Sequence, residues 1–551
     1  MNGARLLLDC LKKQGVDTLF GYPGGAVIPF YDELYEYGYF NHTRTAHEQG
    51  AIHAADGYAR SSKKVGVCIA TSGPGATNTV TGIATAFMDS VPLVVITGQV
   101  PTTLLGKDSF QEIDITGVTM SITKHNYLVR NVDDISKIVE EAFKVATTGR
   151  PGPVLIDIPK DIFLAEYREE LSDILDDYKT EEHEDDIDLT EVVKIINESK
   201  KPIIYAGGGI KIANASKELN SFANKLDSPV VNTLMGLGSI DRECELSLGL
   251  VGMHGFRENN LAVTNSDLII AVGARFSDRV IGNSKGFAPK ANIIHIDVDI
   301  TEMNKNKKSQ YHLVGDVKKI LQNLTKDISA KDNTHWKNDI ENYKSKYRID
   351  KELFHPRNIF ELLNKKLDKD VLVATDVGQH QLWTAQYFKF KNDRQFITSG
   401  GLGTMGFGLG ASIGAQVANK DKQVMLVTGD GSFNMNCNEL LTIAKYRLPV
   451  IIVLLNNRTL GMVRQWQDLF CDKRYAQTDN DFDINYRLLS NVYGIKGYSV
   501  DSIDKLDKVL SDCEIGKEPV LIECNIDKDF GVYPIVPPSK NIDEFIECIR
   551  V

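Results

Sequence analysis

Residues 424–436 read VMLVTGDGSFNMN, and residues 449–457 read PVIIVLLNN. The first is a short apolar run that stops at Gly429-Asp430-Gly431-Ser432, and the second is a like run that stops at Asn456-Asn457. Helix-forming residues lie between them, so the segment reads as strand, helix, strand. A βαβ unit is parallel and brings both strand ends to one edge of the sheet, so Asp430 and Asn457 converge. One carboxylate and one amide oxygen suit a hard cation such as Mg²⁺, which takes few protein ligands and completes its shell with phosphate oxygens and water. Gly429 and Gly431 let backbone N–H groups approach a diphosphate, and the helix start after Ser432 favours negative charge. Gly-Asp-Gly alone is an ordinary turn. The asparagine pair at the matching strand end makes it a candidate metal–diphosphate site.

Residues 65–78, VGVCIATSGPGATN, followed by a helical stretch and PLVVIT at 92–97, repeat the pattern. Thr71 precedes Pro92 by 21 residues, and Thr428 precedes Pro449 by 21. Equal register argues for a duplicated domain. Strands of the first copy are expected at Thr18–Phe20, Gly66–Ala70, Leu93–Thr97 and Val154–Ile158, and those of the second at Val371–Ala374, Gln423–Val427, Val450–Leu455 and Val520–Glu523. Between the copies, Pro202–Ala206, Leu268–Val272 and Ile293–Ile296 read as strands of a different unit. The fold class is therefore α/β, with three doubly wound parallel-sheet domains, the first and third related and the middle one Rossmann-like. The expected boundaries are 1–165, 190–325 and 355–551. An acidic stretch with thirteen carboxylates from Glu166 to Glu191 reads as one linker. A Lys/Asp/Asn-rich, partly helical stretch from Thr325 to about Arg357 reads as the other.

A chain of 551 residues builds several cores without disulfides or metal staples. Its net charge of −11 argues against nucleic-acid and membrane-surface roles. The eight cysteines are scattered, without zinc or redox spacing. The N-terminus reads as an amphipathic helix rather than a targeting segment, and no apolar run reaches membrane-spanning length. A cytoplasmic protein is expected.

The GDG…NN pair resembles that of thiamine diphosphate enzymes, which implies Mg²⁺ held by Asp430, Asn457 and the carbonyl of Thr459. No phosphate-binding G-x-x-x-x-G-K-[ST] loop or kinase motif set competes with this reading. Such enzymes need a carboxylate against the aminopyrimidine ring, whose amino group must serve as a base. Residues 45–59 supply Glu48 among small residues, Ala51, Ala54, Ala55 and Gly57. A helical glutamate is ordinarily solvated, but this segment resembles the family's catalytic-glutamate helix. The same resemblance implies diphosphate contacts from Gln379 and His380, a carbonyl contact from Gly403, and Met405 as a prop for the bent cofactor. Because Glu48 and Asp430 lie in different copies, it also implies a homodimer with active sites between subunits.

Within that superfamily the chain resembles, nearly end to end, the catalytic subunit of acetohydroxyacid (acetolactate) synthases. Tyr22-Pro23-Gly24-Gly25-Ala26, Asp108-Ser109-Phe110-Gln111-Glu112 and Ile122-Thr123-Lys124-His125-Asn126 carry this likeness, and Arg150 to Asp161 is shared more widely. The resemblance implies roles near the reacting carbon for Gly25, Gln111 and Lys160. It implies FAD contacts from Arg150, Gly207, Gly208, Gly209, Thr233, Leu234, Met235, His254, Gly273, Arg275, Asp297 and Asp316. Read from the residues alone, the glycines follow strand ends and Asp297 ends a strand as a ribose-binding carboxylate would. Residues 275–282, RFSDRVIG, are close to the family's RFDDRVTG, with Ser277 and Ile281 departing from it. Arg279 is the natural clamp for a 2-oxo acid carboxylate. The resemblance of residues 460–467, LGMVRQWQ, implies that Trp466, with Met253 and Phe110, contacts substrate. The implied reaction is decarboxylation of pyruvate and transfer of the remaining two-carbon unit to pyruvate or 2-oxobutanoate. FAD would have no net redox duty, and a separate regulatory subunit is possible by family analogy. The rivals are a pyruvate oxidase using FAD as acceptor and a flavin-free catabolic synthase; LGMVRQWQ and the FQE block argue against the first, RFSDRVIG against the second.

Overall fold

A computed structural model describes residues 1–168, 188–344, 349–480 and 483–547. Eighteen strands form three six-stranded sheets, and every ladder within them is parallel. The first sheet contains β1 (Thr18–Gly21), β2 (Asn41–Arg44), β3 (Gly66–Ala70), β4 (Leu93–Gln99), β5 (His125–Leu128) and β6 (Pro153–Pro159). The second contains β7 (Pro202–Ala206), β8 (Val230–Asn232), β9 (Ser247–Leu250), β10 (Leu268–Val272), β11 (Asn292–Asp297) and β12 (Tyr311–Val314). The third contains β13 (Leu372–Thr375), β14 (Phe396–Ile397), β15 (Val424–Gly429), β16 (Val450–Asn456), β17 (Lys496–Val500) and β18 (Val520–Asn525).

Strand order is β2-β1-β3-β4-β6-β5 in the first sheet and β14-β13-β15-β16-β18-β17 in the third. These are the same topology, strand for strand, as the repeat in the sequence requires. The middle sheet runs β12-β11-β10-β7-β8-β9, with its switch point between β7 and β10.

The central strands are buried on both faces, which is why they read as continuous apolar runs. The strands that the sequence reading missed are short or carry exposed polar residues, such as β2 (Asn-His-Thr-Arg) and β17. The first and third domains share one hydrophobic core, in which Phe20, Ala54 and Ile83 join Ala374, Ile413 and Leu426. The seam is a close pair of helices, Glu48–Ser62 and Phe407–Ala418. A Cβ at Gly57 would overlap the Ala411 carbonyl, and one at Gly414 would overlap that of Ala54. Glycine is what lets these backbones meet.

Most of the acidic linker, residues 169–187, lies outside the described residues. The second expected linker contains the helix Thr334–Glu341, and this piece docks rather than spans. Trp336 is buried in the middle domain, where its indole N–H donates to the Pro202 carbonyl at 3.1 Å. The C-terminal tail returns to the same domain, burying Ile542 in its core.

Candidate active site

Parallel strands end at one edge, and the first domain's candidate residues gather there. Glu48 is the first residue of its helix, where the dipole favours a carboxylate. His47 caps that helix, its Nδ1 accepting the Gln49 N–H at 3.0 Å. Asn78 Nδ2 donates to Glu48 Oε2 at 2.9 Å. Gly75 lies close enough that a Cβ there would come within 3.3 Å of Glu48 Oε1. Thr71 accepts the Ala26 N–H at 3.2 Å, drawing the Tyr22–Ala26 turn onto the turn after β3, while the bare side of Gly25 faces open space. Gln111 adopts φ 60° against Gly73. Its neighbour Phe110 is 88 % exposed. Lys160 opens the short helix that follows β6. One edge thus presents Gly25, Glu48, Asn78 and Gln111.

The third domain repeats this arrangement with different chemistry. Asp430 is buried directly after β15, and burial pushes its carboxyl up to about 6. Its Oδ2 accepts from Asn480 Nδ2 at 2.5 Å. Asn457, just past β16, donates to Gln379 Oε1 at 3.1 Å, and its Oδ1 takes the Thr459 N–H at 3.3 Å. Gln379 is held in turn by Gln465 and the Phe530 carbonyl. The ring of His380 packs against Gly378 and Gly429. Burial lowers this imidazole to about 3, so it is neutral, and its Nε2 is buried without a hydrogen-bond partner. Ser432 Oγ donates to the Val377 carbonyl at 2.9 Å, and Gly431 faces Met405 and Leu460. Gly403 has φ 73°, which glycine adopts freely.

These residues fit a diphosphate and a divalent cation. His380 leaves a buried ring nitrogen, Nε2, without a hydrogen-bond partner at a glycine-lined turn, and the desolvated Asp430 carboxylate calls for a compensating cation. Among the described residues no three His, Cys, Asp or Glu gather as a metal cluster. A mixed donor set completed by phosphate is the Mg²⁺ pattern.

Family models match in chain order: the thiamine pyrophosphate enzyme N-terminal TPP binding domain over residues 1–118, the central domain over 189–324, and the C-terminal TPP binding domain over 376–524. The chain is 44% identical to the probable acetolactate synthase large subunit of Methanocaldococcus jannaschii, over 100% of this chain and 96% of that one. It is 43% identical to the acetolactate synthase isozyme 2 large subunit of Escherichia coli, over 99% and 100%. The acetolactate synthase large subunit of Lactococcus lactis is 44% identical, over 99% and 96%. The chain belongs to the acetolactate synthase large-subunit family. It is a thiamine diphosphate-dependent transferase.

As in the first and third domains, the family's middle-domain positions cluster at a strand-end edge. Gly207–Gly209 follow β7 and Gly273 follows β10, on either side of the switch point. Their bareness serves the protein itself: a Cβ at Gly207 would overlap the Gly273 carbonyl, and one at Gly209 would come within 2.6 Å of Gly273 Cα. Gly208 faces Met235 instead. Leu234 and Met235 lie in the short turn that Thr233 caps. Burial raises the Asp297 carboxyl, which accepts the Asp299 N–H at 3.0 Å. Asp316 caps the helix Val317–Asp327. Arg150 crosses from the first domain to Glu302 at 2.8 Å and Asp299 at 3.4 Å. His254, lowered to about 4 by burial, leaves Nδ1 buried and unpartnered. That orphan, with the half-buried Gly208 and Arg275, fits a polar cofactor.

Arg279 is mostly exposed, with its guanidinium 3.9 Å from Met253 Sδ and 3.8 Å from Asp278. The Met253 N–H donates to the Arg279 carbonyl, and Val536 of the tail donates to the Met253 carbonyl. Trp466 packs edge-on against Phe470 at 5.4 Å. The structure brings Met253 and Arg279 together; it places Trp466 on the third domain's helix Gly461–Phe470, with no recorded contact to Arg279. Asn78, Asn480 and Gln465 were missed in the sequence. Asn78 and Gln465 lie inside motifs already quoted, whereas Asn480 sits in a loop with no local pattern.

Proposed function

We propose that the protein decarboxylates pyruvate and joins the remaining two-carbon unit to a second 2-oxo acid, with thiamine diphosphate, Mg²⁺ and FAD bound. Pyruvate as acceptor gives 2-acetolactate, and 2-oxobutanoate gives 2-aceto-2-hydroxybutanoate, the precursors of the branched-chain amino acids. The observation that carries the reading is the pairing of two different half-sites at equivalent sheet edges, one around Glu48 and one around Asp430, in a chain whose full-length relatives are acetolactate synthase large subunits. Asp430, Asn457 and the Thr459 carbonyl would hold Mg²⁺. Gln379, His380 Nε2 and the backbone of Gly429, Gly431 and Ser432 would take the diphosphate. Thiamine diphosphate supplies, when bound, a carbon nucleophile and an electron sink.

The chain's own residues orient and protonate. Glu48, steadied by Asn78, would hold a proton toward the pyrimidine ring, the Gly403 carbonyl would accept from the ring's amino group, and Met405 would support the cofactor. Gly25, Gln111, Lys160 and Phe110 line the reacting centre. Arg279 clamps the carboxylate of the second 2-oxo acid, and Met253 and Trp466 give its alkyl group an apolar wall. Gly208, Leu234, Met235, His254, Gly273, Arg275 and Asp297, at and near the middle domain's switch point, would hold FAD. The domains run 1–165, 190–325 and 355–551. Glu48 and Asp430 lie in different copies of the duplicated domain, which supports a homodimer with two shared sites. The relatives' designation as large subunits supports a separate regulatory partner. Among the described residues seven cysteines are free, which supports work in the cytoplasm.

The test is acetolactate formation from pyruvate with thiamine diphosphate, Mg²⁺ and FAD and no external electron acceptor. FAD-dependent acetolactate is expected. Pyruvate consumed only after an acceptor is added would make the protein an oxidase. Glu48→Gln should lower turnover about 100-fold or more while Mg²⁺ and cofactor still bind, and unchanged turnover would remove Glu48 from its role.

A further inference from the structure

Glu439 belongs to the third domain, in the short turn Cys437–Glu439 that follows the helix begun by Asp430. It is 0 % exposed. Both of its oxygens reach into the first domain. Oε1 accepts the His47 N–H at 3.0 Å and Oε2 accepts the Ala46 N–H at 3.1 Å. Thr442 Oγ1 donates to Oε2 at 2.6 Å and fixes the carboxylate from its own side. Gly50 makes the approach possible, since a Cβ there would overlap Glu439 Oε1. The two amides are those of the residues immediately before Glu48. A helix start leaves such N–H groups without internal partners, and here a carboxylate from more than 390 positions away supplies them. Asn78 holds the Glu48 side chain, whereas Glu439 holds the two N–H groups of the backbone that aims it, and Thr45 Oγ1 donates to the His47 carbonyl at 2.8 Å.

We propose that Glu439 is a positioning residue for Glu48: a buried carboxylate of the Mg²⁺–diphosphate domain that fixes the peptide entering the catalytic helix, and so ties one half-site to the other within each chain. This rests on the assignment of Glu48 above. The physical reason for an effect on rate is geometric. A displacement of about 1 Å in a reacting group costs on the order of 10²-fold. A glutamine at 439 keeps one acceptor oxygen and turns an NH₂ group toward a backbone N–H, so it loosens the clamp without emptying the space.

The experiment compares wild type with Glu439→Gln, Glu439→Asp and Gly50→Ala. Glu439→Gln should lower kcat for acetolactate about 10- to 100-fold, with KM for pyruvate and the affinities for Mg²⁺ and thiamine diphosphate changed less than about threefold. Glu439→Asp, which keeps the charge, should recover part of that loss. In the cofactor-free protein, amide hydrogen exchange over residues 45–50 should quicken at least tenfold in Glu439→Gln and in Gly50→Ala. Wild-type kcat alongside a lowered melting temperature would overturn the proposal and leave a structural clamp. So would unchanged exchange over residues 45–50. Loss of kcat and of cofactor affinity by the same factor would also overturn it. Glu48→Gln separates the two readings: full turnover there sinks the role of Glu48, whereas an inactive Glu48→Gln beside a fully active Glu439→Gln sinks only the role of Glu439.

Discussion

Two buried carboxylates, Asp157 and Asp430, are raised by the same physics and stand in different settings. Asp157 lies in β6, where Thr97 Oγ1 donates to it at 2.6 Å and Gln99 Nε2 at 2.9 Å, and burial pushes it up to about 7. Among the described residues no cation is paired with it. The folded state therefore holds a proton on Asp157 that the unfolded chain, titrating near 4, has already released. Its contribution to stability is fully present below about pH 4 and is lost as pH rises through about 7, at up to ~1.4 kcal/mol per pH unit between those values. Asp157→Asn, which stays neutral, should gain thermal stability relative to wild type as pH rises from 5 to 7. Melting curves across that range check it, and a constant difference between the two proteins would refute it. Asp430 sits instead beside Asn457 at a glycine turn, where a bound cation would replace the proton. Removal of divalent metal by a chelator should abolish thiamine diphosphate binding, measured by titration calorimetry, and added Mg²⁺ should restore it.

The helix pair Glu48–Ser62 and Phe407–Ala418 is the element on which both half-sites depend. Its contact is backbone against backbone at Gly57, Gly410 and Gly414. Gly414→Ala would push a methyl group into the Ala54 carbonyl and should destabilise the protein by about 1–3 kcal/mol. Thermal unfolding measures the loss, and an unchanged melting temperature would mean that the pair can separate at no cost. The first of the two was legible as a helix. Their intimacy was not, because glycines within a helical stretch read first as weak helix formers. The strands show the converse: β3, β4, β15 and β16 stood out as apolar runs because helices cover both their faces, whereas the edge strands β2 and β17, partly wet, carry no such pattern.

At the scale of the whole molecule, each domain holds another's working parts. Asp89 of the first domain accepts the N–H groups of Gly400 at 3.0 Å and Gly401 at 2.7 Å, and pairs with Arg60 at 3.0 Å. It thus anchors the loop carrying Gly403 and Met405. Asp89→Ala should weaken thiamine diphosphate binding about tenfold by freeing that loop, with calorimetry as the measure; unchanged affinity would show the loop to be self-supporting. The tail beyond Phe530 bridges likewise, from Gln465 through Val532 to Met253. If two chains complete each site, specific activity should fall as the protein is diluted below its dimer dissociation constant. Concentration-independent activity at all dilutions would place a full site in one chain.

What the sequence determined by itself is what local chemistry encodes. Apolar runs bounded by glycine specify the central strands, equal spacing specifies the duplicated topology, and a Gly-Asp-Gly turn matched with an asparagine pair marks the sheet edge at which we propose a cation and a diphosphate. Only the tertiary structure decided which distant groups meet: Glu439 with Ala46 and His47, Asp89 with Gly400 and Gly401, Asn480 with Asp430, Trp336 with Pro202. Periodicity records which face of an element is buried, not which partner buries it. The partner is selected by packing of whole domains, and a carboxylate that caps a helix hundreds of residues away leaves no spacing in the chain by which to be found.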